Sequence, residues 1–194
     1  MQRICVFCGS NSGARPAYAE TARAFGRALA ARDLDLVYGG GSLGLMGILA
    51  DATLAAGGRA IGVLPRGLFR REVPHAGLTV LHEVGSMHER KALMADLADA
   101  FVALPGGYGT FDELFEIITW AQIGLHAKPI ALLDVEGYFD PLVSLVERAV
   151  EEHFVPHPLA ALVRRTTDLD ALLDELTARP AVAQVSAGEE LPQR

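Results

Sequence analysis

Lysine is nearly missing from this chain of 194 residues, where Lys91 and Lys128 are the only two. Neither follows a glycine or precedes Ser or Thr, so no G-K-[ST] exists and an ATP- or GTP-hydrolysing engine is not expected. Cysteine is as scarce. Cys5 and Cys8 form one C-x-x-C at the apolar run Arg3-Ile4-Cys5-Val6-Phe7. Strand positions three apart face opposite sides, and no second pair completes a zinc site, so two small buried thiols are expected. The six histidines are scattered; His153 and His157 are four apart, but Pro156 and Pro158 break a shared helical face. No metal is expected. Positive charge is also short, 17 Lys and Arg against 24 Asp and Glu, for a formal net charge of −7. That is the wrong sign for a general nucleic-acid surface, and any anion must be held by a local site. No run of 18 apolar residues occurs, so no membrane span is expected. The first residues enter a strand directly, so neither a signal peptide nor a location outside the cytoplasm is expected.

What is present is apolar residues at 51%, ample for a core, and two glycine-rich loops. By length the chain is one domain, expected over residues 1–177, with a loose tail over 178–194. Residues 105–113 read Pro-Gly-Gly-Tyr-Gly-Thr-Phe-Asp-Glu. They follow the apolar run Ala100-Phe101-Val102-Ala103-Leu104 and precede Leu114 to Trp120, whose apolar positions recur at helical spacing. A strand feeding a glycine-rich turn into a helix N-terminus is a phosphate cradle: the backbone comes close to an anion and aims N–H groups at it, and the helix dipole adds positive charge. The plainer reading is that Thr110-x-x-Glu113 is a capping box. Pro105, Gly106, Gly107 and Gly109 give more backbone freedom than a cap needs, so Glu113 is expected to act on whatever the phosphate holds in place.

The other loop, Gly39 to Gly47, follows the apolar stretch 34–38 and opens a helix. Gly39 to Gly44 matches G-x-G-x-x-G. The dinucleotide fingerprint also wants an acid at the end of the next strand, to hold a ribose hydroxyl. That strand, 59–64, ends in Pro65-Arg66-Gly67. A dinucleotide site is disfavoured, while mononucleotide phosphate or ribose binding stays open.

Strands over 2–8, 35–38, 59–64, 78–84, 100–104, 129–133 and 162–166 alternate with helices over 16–32, 45–56, 87–98, 110–123, 139–152 and 168–177. The pattern predicts an α/β, Rossmann-like, doubly wound parallel sheet with helices on both faces. In such sheets ligands bind past the carboxyl ends of strands. Ser10, Gly40, Gly41, Gly44, Arg90 and Gly106 to Glu113 all lie just past such ends and are expected to converge. Ser86-x-x-Glu89 is a second capping box, which leaves Arg90 and Lys91 for other work.

Gly39-Gly40-Gly41 through Gly44-Leu45-Met46-Gly47, Met87-His88-Glu89-Arg90-Lys91, and Pro105 to Thr110 with Glu113 together resemble the LOG (LONELY GUY) family. Its members are cytokinin riboside 5'-monophosphate phosphoribohydrolases, long mislabelled as lysine decarboxylases. The resemblance runs from Arg3 to about Leu176. It implies that Arg90 and Glu113 are the catalytic pair. It implies nucleotide contacts at Lys91, Gly107, Tyr108, Gly109, Thr110, Phe111, Asp112 and Thr119, with Gly106 expected beside them in the substrate site. Ser10, Gly40, Gly41, Gly44, Met46 and Met87 are expected to line the same site, with Glu72 in the loop 70–74. A homodimer with sites near its interface is also implied. The decarboxylase label fails on residues: a pyridoxal phosphate enzyme needs a Schiff-base lysine, and neither Lys91 nor Lys128 has the flanking Ser-x-His. No cofactor is expected.

The implied substrate is a purine riboside 5'-monophosphate with an N6-substituted adenine. Cleaving its N-glycosidic bond makes the ribose carbon cationic, which a carboxylate stabilises while orienting or deprotonating water; Glu113 is the candidate. Arg90 either offsets charge on the departing purine or positions the ribose or phosphate. The alternatives are plain AMP or another ribotide as substrate, and a nonenzymatic nucleotide or phosphorylated-cofactor carrier on the same fold.

Overall fold

The computed structural model describes residues 2–67 and 73–178. Among the described residues seven strands are β1 (Arg3–Phe7), β2 (Asp35–Tyr38), β3 (Ala60–Pro65), β4 (Val80–Val84), β5 (Ala100–Ala103), β6 (Ile130–Leu133) and β7 (Val163–Thr166). Six α-helices are α1 (Pro16–Ala31), α2 (Gly44–Ala55), α3 (Met87–Leu97), α4 (Tyr108–Gln122), α5 (Asp140–Glu151) and α6 (Leu169–Ala178), with a short 3-10 helix at His157–Leu162. The expected α/β fold is what is observed. Of the expected tail only Ala178, the last residue of α6, is described.

All seven strands are parallel, in the order β4-β3-β2-β1-β5-β6-β7. The central strands read as unbroken apolar runs because both faces are covered: β5 and β6 are buried at every position. Edge strand β4 alternates between half-buried and exposed instead. Ile4, Val6, Leu36 and Tyr38 pack in one layer with Phe25 and Leu29 of α1, Leu49 of α2 and Leu172 of α6. Cys5, Phe7, Val37 and Phe101 pack in the other with Met94 of α3, Leu114 and Ile117 of α4, and Phe139. The two cysteines thus fall in opposite layers, both buried and unbridged, as their spacing predicts.

The chain begins in the middle of the sheet, runs outward through β2, β3 and β4, then returns through α3 to β5 on the other side of β1. Where this winding reverses, the loops after β1 and β5 diverge and leave a crevice. Leu104 N–H still bonds Phe7 carbonyl at 2.9 Å and Gly9 N–H bonds Pro105 carbonyl at 3.1 Å, which tie those two loops together at the crevice floor.

One element differs in a way that matters. Helix α4 starts at Tyr108, two residues before its expected start, with Gly107 as N-cap and no side-chain cap. Thr110 is therefore the third helical residue and Glu113 the sixth, and the Thr110–Glu113 capping box of the plainer reading is not formed. The glycines allow the tighter entry: a Cβ on Gly106 would lie 2.0 Å from Thr110 Oγ1, because Thr110 folds back under the turn. The Ser86 box is real on one side. Ser86 Oγ accepts from Glu89 N–H at 3.1 Å, while Glu89 Oε2 reaches Gly85 N–H at 2.7 Å, one residue before the N-cap.

Candidate active site

The crevice holds a cavity of about 520 Å³, a size suited to a nucleotide. Its floor and walls come from the loop after β1, the first turn of α2, the first turn of α3, and the turn 105–107 leading into α4. At the start of α4, Phe111 N–H closes the first turn on Gly107 carbonyl at 3.0 Å. The N–H groups ahead of it have no acceptor within a helix and carry the positive end of its dipole. Gly107 and Gly109 have nothing within 4 Å of where a Cβ would sit, so an anion can approach both backbones.

The second glycine loop has another job. Gly9 carbonyl accepts from Leu45 N–H at 3.0 Å and Met46 N–H at 3.3 Å, which occupies two donors in the first turn of α2 from inside the protein. Gly44, at φ +62, permits the approach: a Cβ there would lie 2.3 Å from Ser10 backbone. Gly40 carbonyl takes His75 N–H at 3.0 Å, and Gly41 carbonyl takes the Tyr38 hydroxyl at 3.2 Å. Gly39 carbonyl takes Arg90 Nη2 at 2.9 Å. This loop therefore seats the Arg90 guanidinium on Gly39 carbonyl and the segment 73–75 through Gly40 carbonyl and Ser42 N–H, while the N–H groups of Leu45 and Met46 go to Gly9.

Arg90 is 3% exposed, brought to the cavity by the first turn of α3, and its Nη1 rests 3.7 Å from Met87 Sδ. Glu113, half-buried on α4, lines the same cavity. A buried guanidinium and a carboxylate thus face one space beside a helix N-terminus. Burial, and after it the charge of Glu113, push the Cys8 thiol at the cavity floor well above its ordinary range. Cys8 stays a neutral thiol and is no nucleophile at neutral pH.

Of the expected site residues, Ser10, Met46, Met87, Arg90, Glu113, Asp112 and the run from Gly106 to Thr110 line the cavity. Gly40 and Gly41 are buried behind it, and Gly44 packs against Ser10. Phe111 is half-buried on α4, outside the lining. Thr119 is exposed three turns along α4, its hydroxyl donating to Phe115 carbonyl at 2.7 Å. Lys91 bridges α3 to α4, with Nζ 3.0 Å from Asp112 Oδ2 and 3.1 Å from Glu116 Oε2. Burial opposes its charge, but hydrogen bonds to those two carboxylates outweigh it and raise its pKa. Glu72 lies outside the described residues. Sequence reasoning missed Asn11, Tyr18, Cys8 and Tyr138, which also line the cavity. Tyr138 follows a strand's carboxyl end, β6, so the rule that pointed to the other loops applied to it as well.

A pyridoxal phosphate cofactor does not fit this cavity. Lys91 is ion-paired away from it, and Lys128 Nζ donates to Ala95 carbonyl at 2.7 Å, so neither lysine lines it. Among the described residues no cluster of His, Cys, Asp and Glu could hold a metal, and no helix is long and apolar enough to cross a membrane.

Comparison with known proteins agrees with this geometry. Residues 46–176 match a family described as possible lysine decarboxylase. A probable cytokinin riboside 5'-monophosphate phosphoribohydrolase of Oryza sativa subsp. japonica is 52% identical over 175 residues, covering 90% of this chain and 77% of that protein. A cytokinin riboside 5'-monophosphate phosphoribohydrolase of Arabidopsis thaliana is 46% identical over 189 residues, covering 92% and 87%. Among solved structures, the molybdenum cofactor carrier protein of Chlamydomonas reinhardtii superposes with a TM-score of 0.69 over 92% of this chain and 99% of its own. At 23% identity it shares the fold alone. With about half its residues shared with the plant enzymes along most of its length, the chain belongs to the LOG family of cytokinin riboside 5'-monophosphate phosphoribohydrolases.

Proposed function

We propose that this protein hydrolyses the N-glycosidic bond of a purine riboside 5'-monophosphate, releasing the free base and ribose 5-phosphate, and that its substrate is an N6-substituted adenosine monophosphate of the cytokinin kind. The observation that carries the reading is the meeting of Arg90, Glu113 and the α4 N-terminus in one cavity. The 5'-phosphate sits on the N–H groups of the turn Gly107 to Thr110. Fixing it there places the anomeric carbon near Glu113, so binding energy from the remote phosphate serves bond cleavage. As the bond to the base lengthens, the Glu113 carboxylate stabilises the cationic ribose carbon and accepts the proton of the attacking water. Arg90, held by Gly39 carbonyl, supplies a fixed positive charge against the negative charge that develops on the departing purine.

The names of the plant relatives support the N6-substituted substrate, and the cradle supports the requirement for a 5'-phosphate. Incubation with AMP and with N6-isopentenyl-AMP, followed by chromatography for free base, tests both. Release from the isopentenyl nucleotide is expected, with little from its phosphate-free riboside. Faster release from AMP assigns the activity to plain AMP, and no release from either leaves a nucleotide carrier.

The protein works in the cytoplasm as a homodimer. Support for the dimer comes from the α3–α4 side. Met87, Phe115 and Ile123 remain exposed there, while Met94, Leu114 and Ile117 go to the core.

A further inference from the structure

We infer that Tyr138 is a positioning residue of the phosphate cradle, acting through the peptide between Gly106 and Gly107; the inference rests on the cradle reading above. The Tyr138 hydroxyl donates to Gly106 carbonyl. A trans peptide points its C=O and its N–H in opposite directions. Gripping Gly106 carbonyl therefore fixes where Gly107 N–H points, which is the first donor of the cradle. A peptide flanked by two glycines has little intrinsic preference and would otherwise rotate freely. Hydrogen bonding at the carbonyl also polarises the amide and strengthens its N–H as a donor.

The surrounding structure is organised to hold that phenol. Asp134, at the end of β6 with its side chain 1% exposed, accepts Phe139 N–H at 3.1 Å and Arg165 Nε at 3.0 Å. Between them the chain makes a tight turn with Glu136 at φ 52 and Gly137 at φ 74, closed by Tyr138 N–H on Val135 carbonyl at 3.1 Å. Left-handed backbone at a glutamate is uncommon and marks a turn held by its context. Glu136 is itself held by Arg15 at 2.8 Å, and the Tyr138 ring meets Tyr18 edge-on at 5.8 Å. Tyr18 in turn fills the space where a side chain on Gly13 would sit. The turn after β6 thus carries the phenol, and Tyr18 in the first turn of α1 packs against its ring. The Tyr138 hydroxyl then orients the turn after β5.

Tyr138→Phe removes the hydroxyl and keeps the ring. The inhibition constants of ribose 5-phosphate and of adenine should be measured for parent and variant, with melting as a control. Loss of one hydrogen bond that orients the donor is expected to raise the ribose 5-phosphate constant roughly five- to ten-fold, with the adenine constant and melting unchanged. An unchanged ribose 5-phosphate constant overturns the inference. So does a parallel rise in both constants, which is the mark of general loosening. Gly107→Val, measured alongside, separates the two ideas. If it weakens ribose 5-phosphate and Tyr138→Phe does not, only the role of Tyr138 falls. If neither does, the cradle reading falls with it.

Discussion

Glu113 stands at the sixth position of α4 and lines the cavity. Glu113→Gln keeps shape and hydrogen-bonding reach but removes the charge. Melting close to the parent's, retained nucleotide binding and a kcat lower by roughly two or more orders of magnitude are expected in single-turnover and steady-state assays. Turnover as fast as the parent's would leave the mechanism without a base. Gly39 offers a sharper test, because no substrate contact is assigned to it. A Cβ there would lie 1.9 Å from Arg90 Nη2. Gly39→Ala must therefore move a buried guanidinium off its carbonyl seat, and kcat should fall toward that of Arg90→Ala. If Gly39→Ala turns over like the parent, the seat is not what aims Arg90.

At the scale of elements, the turn into α4 has room for a Cβ at Gly107, where nothing lies within 4 Å of it and φ is −108°, so Gly107→Val is expected to fold. The valine fills the approach to the N–H groups. Calorimetry with AMP should show a sharp loss of affinity in a protein that melts normally; undiminished affinity would move the phosphate elsewhere. The strands and helices themselves were legible in the sequence to within a residue or two at most ends. Alternating runs such as Ala100 to Leu104 and the helix after them carry periods that sequence alone reveals. The capping of α4 was not, because Thr110-x-x-Glu113 imitates a cap and only three-dimensional packing shows Thr110 tucked beneath Gly106. Nor was the division of labour between the glycine loops. Both read as sites for an anion, and it takes Gly9 carbonyl, 35 residues and more away in the chain, to show that the Leu45 and Met46 N–H groups of α2 are already taken. The family resemblance implied that Lys91 contacts the nucleotide. A helix turns by about 100° per residue, and Lys91 instead reaches Asp112 and Glu116.

At the scale of the whole molecule, three groups keep their protons because they are buried. Burial first, with Glu113 adding to it, raises the Cys5 and Cys8 thiols, and burial chiefly raises the Tyr38 phenol. Their ordinary values are 9.0 for the thiols and 10.0 for the phenol. Below pH 9 they are protonated folded or unfolded, and their full contribution to stability is present. Above it the unfolded chain loses protons that the folded one keeps, so stability must fall as pH rises. The melting temperature should decline from about pH 9 upward, and a Cys5→Ala, Cys8→Ala double variant should show a shallower decline. A melting temperature level to pH 10.5 in the parent would contradict this. Light scattering at micromolar concentration should return the mass of a dimer, and a monomer mass would count against the proposed assembly.

The carbonyl of Gly9 carries a consequence for redesign. A protein engineer seeking a nicotinamide-binding variant would naturally add the missing acid after β3, behind a loop that already spells the dinucleotide fingerprint. The graft would supply a ribose anchor and still find no berth for the pyrophosphate, because Leu45 and Met46 already give their N–H groups to Gly9. Sequence likeness to a dinucleotide site is here a false friend. Converting the scaffold would require the loop after β1 to be rebuilt before the loop after β2, and that same loop holds the crevice together through Pro105.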